Sequence, residues 1–234
     1  MSRMTLNQFV AQHAEQTRNE GVFELESERV LEINLQEPTA GMVWMKAGAM
    51  VAYRGAIKFE REGILEQGLG NLLKKAVSGE GAVLSRAVGS GKLYVADGGK
   101  LITVLELSNE SVIVNGSDLI AFTPSLKHEI TMMRKVSAIA SGGLFNIRIS
   151  GTGILAIATH GKPMALRVTH DSPVFTDPQA TVAWSANLTP EFKTDIQLKT
   201  LLGRGSGESF QMAFRGDGFV VVQPYEEKVM QGAG

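Results

Sequence analysis

The feature that most constrains the fold of this 234-residue chain is an internal duplication. Residues 82–126 align with residues 144–188 without a gap, and ten of the 45 aligned pairs are identical. Arg86 matches Arg148 in this alignment, and Gly89 matches Gly151. A gapless match of this length predicts two copies of one structural unit, because such a unit repeats its turns and core positions at a fixed spacing.

Two short patterns that alternate along the chain indicate a third copy. The first is an apolar residue, then Ala, then an aromatic residue, found as Val51-Ala52-Tyr53, Ile120-Ala121-Phe122 and Val182-Ala183-Trp184. The second is Ser-Gly followed by Gly-x-Gly, found as Ser78-Gly79 with Gly89-Ser90-Gly91, Ser141-Gly142 with Gly151-Thr152-Gly153, and Ser206-Gly207 with Gly216-Asp217-Gly218. We therefore predict a single domain over residues 22–224, with repeats at about 22–107, 108–169 and 170–224, an N-terminal appendage over 1–21 and a tail over 225–234.

The hydrophobic pattern predicts an all-β fold. Runs in which apolar and polar residues alternate are typical of strands with one buried face, and they recur at residues 30–35, 101–107, 192–202 and 219–222. Two helices are predicted besides, a short one over residues 4–18 and an internal one over 64–77 whose apolar residues form a single stripe. The predicted architecture is three tandem β-sandwich or double-stranded β-helix-like units.

Charge and cysteine content exclude several classes of function. The 23 basic and 24 acidic residues leave a net charge of −1, without the basic surplus of a dedicated nucleic-acid binder. Because the chain has no cysteine, disulfide scaffolds, thiolate zinc sites and cysteine nucleophiles are excluded. No run reaches the roughly 18 apolar residues of a membrane-spanning helix. With no targeting signal in the sequence, we expect a cytoplasmic protein.

None of the motifs predicts a catalytic residue, a cofactor site or a metal site. Each Gly-x-Gly is followed by a strand-like run, whereas a dinucleotide-binding loop would open a helix, so we interpret these glycines as bulges or tight turns. His160 and His170 flank the run 164–168, and His128 lies in an alternating run; we expect all three at the surface. No Gly-x-Ser-x-Gly nucleophile elbow occurs.

Two sets of repeated residues leave alternatives open. Arg86 and Arg148 each precede a glycine pair by three residues, and Ala213 takes that place in the third copy. Arginines arranged in a ring would bind an anion, but we favour pairing with Glu80 or Glu208 across a strand or subunit edge. The aromatic residues of the first pattern are interpreted as core anchors repeated by duplication, in preference to stacking platforms for RNA bases.

These residues resemble the family named for altered inheritance of mitochondria protein 24, long catalogued as a domain of unknown function. The resemblance covers about residues 22–223 and is carried by residues 48–53, 78–81, 89–91 and 216–223. It implies three fused units similar to the tryptophan RNA-binding attenuation protein, a trimer whose units form a ring with pseudo-ninefold symmetry, and no catalytic residue. The second copy departs from the pattern, because Ser141-Gly142-Gly143 lacks a glutamate in the place of Glu80 and Glu208.

We therefore expect a non-enzymatic homo-oligomer, with a trimer favoured, that acts as a scaffold or protein-interaction module. A small-ligand or anion-binding barrel, including a cupin-like enzyme, is the alternative. RNA binding is a third hypothesis that rests on similarity of fold alone.

Overall fold

A computed structural model describes residues 3–16, 21–36, 41–61, 84–132, 145–193 and 211–225. These residues form one helix, α1 (Leu6–Gln12), and fifteen strands. The strands are β1 (Phe23–Ser27), β2 (Val30–Asn34), β3 (Met42–Lys46), β4 (Met50–Arg61), β5 (Leu84–Val95), β6 (Leu101–Asn115), β7 (Leu119–Phe122), β8 (Lys127–Met132), β9 (Phe145–Thr159), β10 (Met164–Val168), β11 (Val174–Thr176), β12 (Thr181–Ser185), β13 (Glu191–Lys193), β14 (Gln211–Phe214) and β15 (Gly218–Val222). The internal helix predicted over 64–77 lies outside the described residues.

The N-terminal helix is shorter than the segment predicted to contain it. The Thr5 hydroxyl accepts a hydrogen bond from the Gln8 N–H at 3.2 Å, and the Gln8 side chain accepts one from the Thr5 N–H at 2.9 Å. This reciprocal capping box fixes the start of the helix. None of the residues of α1 is buried, so local hydrogen bonds account for the helix and packing against the strands does not.

The strands form one large antiparallel sheet and one small sheet. Twelve strands lie in the large sheet, whose main path runs β1-β2-β5-β3-β7-β9-β6-β12-β15-β10, with β4 paired to β5 and β8 paired to β9. The small sheet has the order β11-β14-β13. The all-β prediction is confirmed at this level, as a large antiparallel sheet accompanied by one short helix among the described residues.

The same strand pairing recurs at three places in the large sheet. In register, Tyr53 lies opposite Leu93, Phe122 opposite Leu155 and Trp184 opposite Val220. In each pair the register shifts just before the alanine that precedes the aromatic residue, which places a bulge at positions 51, 120 and 182. We call the strands that share this layout the first (β2–β5), second (β6–β9) and third (β10–β15) strand groups.

Neighbouring strand groups join edge to edge. β3 pairs with β7, which places Trp44 opposite Phe122, and β6 pairs with β12, which places Ile113 opposite Trp184. β7 and β12 therefore have a partner strand on both sides. Within the described ranges β4 pairs only with β5, and β11 pairs only with β14. The first and third strand groups thus each keep an edge without a strand partner.

Three clusters of buried apolar side chains hold the groups together. The first cluster joins Leu31 and Leu93 of the first group to Ala156 of the second, and the second cluster includes Phe122 and residues of the third group. The third cluster contains Phe214, which is fully buried. Burial of one large apolar side chain contributes about 1.5–3 kcal/mol, so the junctions between groups belong to the core.

Of the bulges or tight turns predicted at the Gly-x-Gly pairs, the first copy has neither, and the second copy lies opposite a register shift between β6 and β9. Residues 89–91 lie inside β5 and residues 151–153 inside β9, whereas in the third copy residues 215–217 form the turn between β14 and β15, and Gly218 begins β15. Gly91 has a φ of 140°, and a Cβ there would lie 2.0 Å from the backbone oxygen of Arg54. Glycine is required because β4 approaches β5 too closely for any side chain at this point.

Candidate functional site

Arg86 forms a cross-strand ion pair, but with a different carboxylate from those predicted. Its Nη2 lies 2.9 Å from Glu60 Oε2, and the two residues are directly opposite in the β4–β5 register. The guanidinium also lies over the ring of Trp44, at 5.6 Å from the centroid. Glu80 and Glu208 lie outside the described residues. The predicted class of contact is therefore observed for Arg86, with Glu60 as the partner.

Arg148 occupies the equivalent place in the second strand group and bonds to neutral groups. It donates hydrogen bonds to Ser111 Oγ at 3.4 Å and to the backbone oxygen of Ala186 at 3.1 Å. Ala213 holds the third place on β14, where it lies opposite Phe175 and Glu191. Because protein atoms already bind both arginines and the third position has no charge, these residues do not form a threefold ring of free donors for an anion.

His160 and His170 do not converge on one site. His170 lies 3.1 Å from Asp217, and both side chains are more than two thirds exposed. His160 is half-buried, with its ring 4.0 Å from that of Tyr225. The surface prediction holds for His170 and is wrong for His160. Among the described residues, no three His, Asp or Glu side chains are grouped closely enough to hold a metal ion.

An aromatic cluster fills the junction between the first and second strand groups. The ring of His128 lies 4.7 Å from that of Trp44 and 5.3 Å from that of Phe122, and these two rings are stacked 6.1 Å apart. Phe122 is fully buried there, as the core-anchor interpretation predicts. His128 is half-buried in this cluster, so the prediction of a surface histidine is wrong.

Strands β4 and β11, which within the described ranges lack a partner strand on one side, carry the same kinds of side chain in exposed form. On β4, the rings of Tyr53 and Phe59 lie 5.4 Å apart, as those of Phe122 and His128 do in the second group. Tyr53 is 49% exposed and Phe59 39%, and on β11 Phe175 is 47% exposed. The core-anchor interpretation is therefore wrong for Tyr53 within one chain. We call these two surfaces the β4 edge (Tyr53 and Phe59) and the β11 edge (Phe175), and together they are the candidate functional site.

A polar cluster lies on the first strand group, on the other face of β4 and β5 from Tyr53. Lys92 Nζ is 2.7 Å from Glu32, whose side chain is 3% exposed, and the Tyr94 hydroxyl donates a hydrogen bond to Glu15 at 2.7 Å. The hydrogen bond to Glu32 raises the pKa of Lys92. Burial, followed by the hydrogen bond to Glu15, raises the pKa of Tyr94. The bond from Tyr94 in turn lowers the pKa of Glu15.

A second polar cluster links the first strand group to the second. Lys100 Nζ lies 3.1 Å from Asp118 Oδ1, and both side chains are buried. Lys46 Nζ lies 3.0 Å from Asp97 and 2.9 Å from the backbone oxygen of Ser117. Buried charges are tolerated when they are paired and hydrogen-bonded, and this cluster fixes the turns at the rim of the sheet.

Neither polar cluster was predicted, although the sequence contains a signal for the first. In the internal alignment Lys92 and Tyr94 match Ile154 and Ala156, so polar residues stand where the copy has apolar ones. A break in the apolar pattern of a repeat marks a position whose surroundings differ from those of its counterpart. Glu15, which lies in the predicted appendage, has no counterpart in the repeats and gave no such signal.

Comparison with known proteins gives a family and a fold. The family model described as mitochondrial biogenesis AIM24 matches residues 23–225, which confirms the resemblance drawn from the sequence. The chain is also similar to a Streptococcus pyogenes protein solved by X-ray crystallography, with a TM-score of 0.66 and 24% identity over 87% of this chain and 92% of the other. No curated protein matches the sequence. No helix within the described residues is long and apolar enough to cross a membrane.

Proposed function

The chain belongs to the mitochondrial biogenesis AIM24 family over residues 23–225, and from this premise we propose that it is a non-enzymatic β protein that assembles with itself as a scaffold or protein-interaction module. The observation that carries the proposal is the match between the β4 edge and the β11 edge. Among the described residues, each edge lacks the strand partner that its counterparts inside the chain possess.

The proposed building block is a β unit present three times, similar to that of the tryptophan RNA-binding attenuation protein. Recurrent backbone hydrogen bonds support it: Ala96 N–H to Ala49 O at 2.9 Å, Ala158 N–H to Asp118 O at 2.7 Å, and Gln223 N–H to Ala180 O at 2.9 Å. We propose unit boundaries at residues 97–100 and 160–163, ahead of those predicted, because residues 107 and 108 lie inside β6 and not at one of its ends.

The junctions inside the chain define how two chains would meet. Trp44 lies opposite Phe122, and Ile113 lies opposite Trp184. By the same register, Phe175 of one chain would lie opposite Tyr53 of the next and beside Phe59. That arrangement repeats the aromatic cluster of the first junction and removes three exposed aromatic side chains from water, and burial of aromatic side chains dominates the energetics of many interfaces. A head-to-tail contact of this kind forms a ring where its rotation closes, and we favour a ring of three chains.

The test is the molar mass in solution by light scattering coupled to gel filtration. We expect an assembly near three chains for the natural protein, and monomers for Tyr53→Lys and for Phe175→Lys, because each change buries a charge in the proposed contact. Leu105→Lys is the matched control, since Leu105 is 39% exposed on β6 and lies on neither edge. A natural protein that elutes as a monomer at all concentrations overturns the proposal.

A further inference from the structure

The face of the first strand group that carries Tyr94 has a counterpart in each of the other groups. By strand register, Ala52 and Tyr94 correspond to Ala121 and Ala156 in the second group and to Ala183 and Val221 in the third. Ala121 packs in one cluster with Met45 of the first group, and Ala183 packs with Val114 of the second. In both cases the core of the preceding strand group covers this face.

In the first strand group, which no other described group precedes, Glu15 of the N-terminal arm (residues 3–16) contacts this face. Glu15 accepts the hydrogen bond from the Tyr94 hydroxyl at 2.7 Å and lies 2.8 Å from Arg54 Nη1. The next residue, Gln16, donates its backbone N–H to Glu26 at 2.6 Å. The arm therefore stands where the core of a preceding strand group would pack.

The residues of this face are suited to a segment that binds weakly and can dissociate. The Glu32–Lys92 ion pair, at 2.7 Å, stands where the second group has Val104 and Ile154 and the third has Ala165 and Phe219. Arg54 is 73% exposed and α1 buries none of its residues. Exposed ion pairs contribute little to stability, so the arm is held at a few polar points and is readily displaced.

We propose that the N-terminal arm competes with a second copy of the chain for this face and so restrains assembly until the arm is displaced. The inference rests on the proposed self-assembly, since the third strand group of a neighbouring chain is the competitor. The arm occupies the face in the isolated chain, and the neighbour's core occupies it in the ring.

The test compares Glu15→Ala with Glu28→Ala in the full chain, by the concentration at which half of the chains are assembled in analytical ultracentrifugation. Both changes remove one negative charge from an exposed position. Within the described residues the Glu28 side chain makes no hydrogen bond or ion pair, whereas Glu15 holds the arm. We expect the midpoint for Glu15→Ala to fall by roughly threefold, the scale of one exposed ion pair. Glu28→Ala should match the natural protein.

A label on the arm gives a second readout. The chain has no cysteine, so Ala14→Cys places a single spin label next to Glu15. We expect the label to become more mobile when the protein assembles. An unchanged or higher midpoint for Glu15→Ala, or a label equally immobile in both states, overturns the competition and leaves the assembly standing. If no variant and no natural protein assembles at any concentration, both proposals fail together.

Discussion

At Gly91 the backbone of one strand leaves no room for a side chain on the next. A Cβ at this residue would lie 2.0 Å from the Arg54 oxygen, whereas a Cβ at Gly48 would meet nothing within 4 Å. Both glycines have a positive φ, 140° at Gly91 and 85° at Gly48. The two positions therefore share the conformational cost of a side chain and differ in the space available to it.

We predict that Gly91→Ala lowers the free energy of unfolding by more than about 3 kcal/mol, because β4 must move away from β5. Gly48→Ala should cost about 1–2 kcal/mol, the penalty for a side chain in the left-handed region alone. Chemical denaturation of both variants measures the difference. Equal losses would show that the close approach of the two strands does not constrain residue 91.

The hydroxyl of Tyr94 leads to a second prediction, about how the stability of the folded chain depends on pH. Its pKa is raised by burial and by the bond to Glu15, so the folded chain keeps the phenol protonated where the unfolded chain ionises it. The stabilisation is complete below the ordinary tyrosine pKa of about 10 and is lost as the pH rises through the folded pKa. We expect Tyr94→Phe to abolish the latest phenolate step in an ultraviolet titration. A variant whose titration keeps that late step would assign it to another tyrosine.

Among the strand elements, β11 and β13 form a natural comparison. They are the two outer strands of the three-stranded sheet, and each pairs with β14. Only β11 belongs to the proposed contact between chains. We predict that hydrogen exchange at the amides of β11 slows as protein concentration rises, because assembly adds a strand partner, while exchange at β13 stays constant. Equal slowing of both strands would place the contact elsewhere on this sheet.

The alternation of apolar and polar residues predicted some strands from the sequence, and the structure explains where this reasoning stops. The alternation of apolar and polar residues predicted the bounds of β2 and β15 closely, because this pattern depends only on the side chains of the strand itself. Continuity of β5 through residues 89–91 was not predicted. Glycine signals a turn when judged locally, and the neighbouring β4 that requires glycine here is a tertiary feature.

The candidate site was only half predictable for a related reason. Phe122 and Trp184 are core anchors because a preceding strand group covers them, and Tyr53 has the same place in the pattern. A repeat in the sequence does not show which copy has its aromatic edge covered by a neighbouring strand group in the described structure. The exposed aromatic edge is therefore visible only once the strand order is known.

At the scale of the whole molecule, the two edges differ in sequence and in strand, so a contact between them has a direction. Surfaces that pair with each other rather than with themselves form heterologous contacts, which close into rings or extend into filaments. A self-complementary contact would instead give a dimer with twofold symmetry. The two kinds of assembly can be told apart with two variants, one in which the β4 edge is blocked and one in which the β11 edge is blocked.

Mixing Tyr53→Lys with Phe175→Lys separates these cases. The first variant keeps an intact β11 edge and the second an intact β4 edge, so one head-to-tail contact remains between them, and a third chain has no free intact edge to join. We predict that each variant alone is a monomer and that the mixture forms a complex of one chain of each, measured by native mass spectrometry. Homodimers of either variant would contradict the head-to-tail contact, because only an edge that pairs with itself survives in a single variant. A mixture that stays monomeric at concentrations where the natural protein assembles would show that closure of the ring, and not one contact alone, supplies the stability of the assembly.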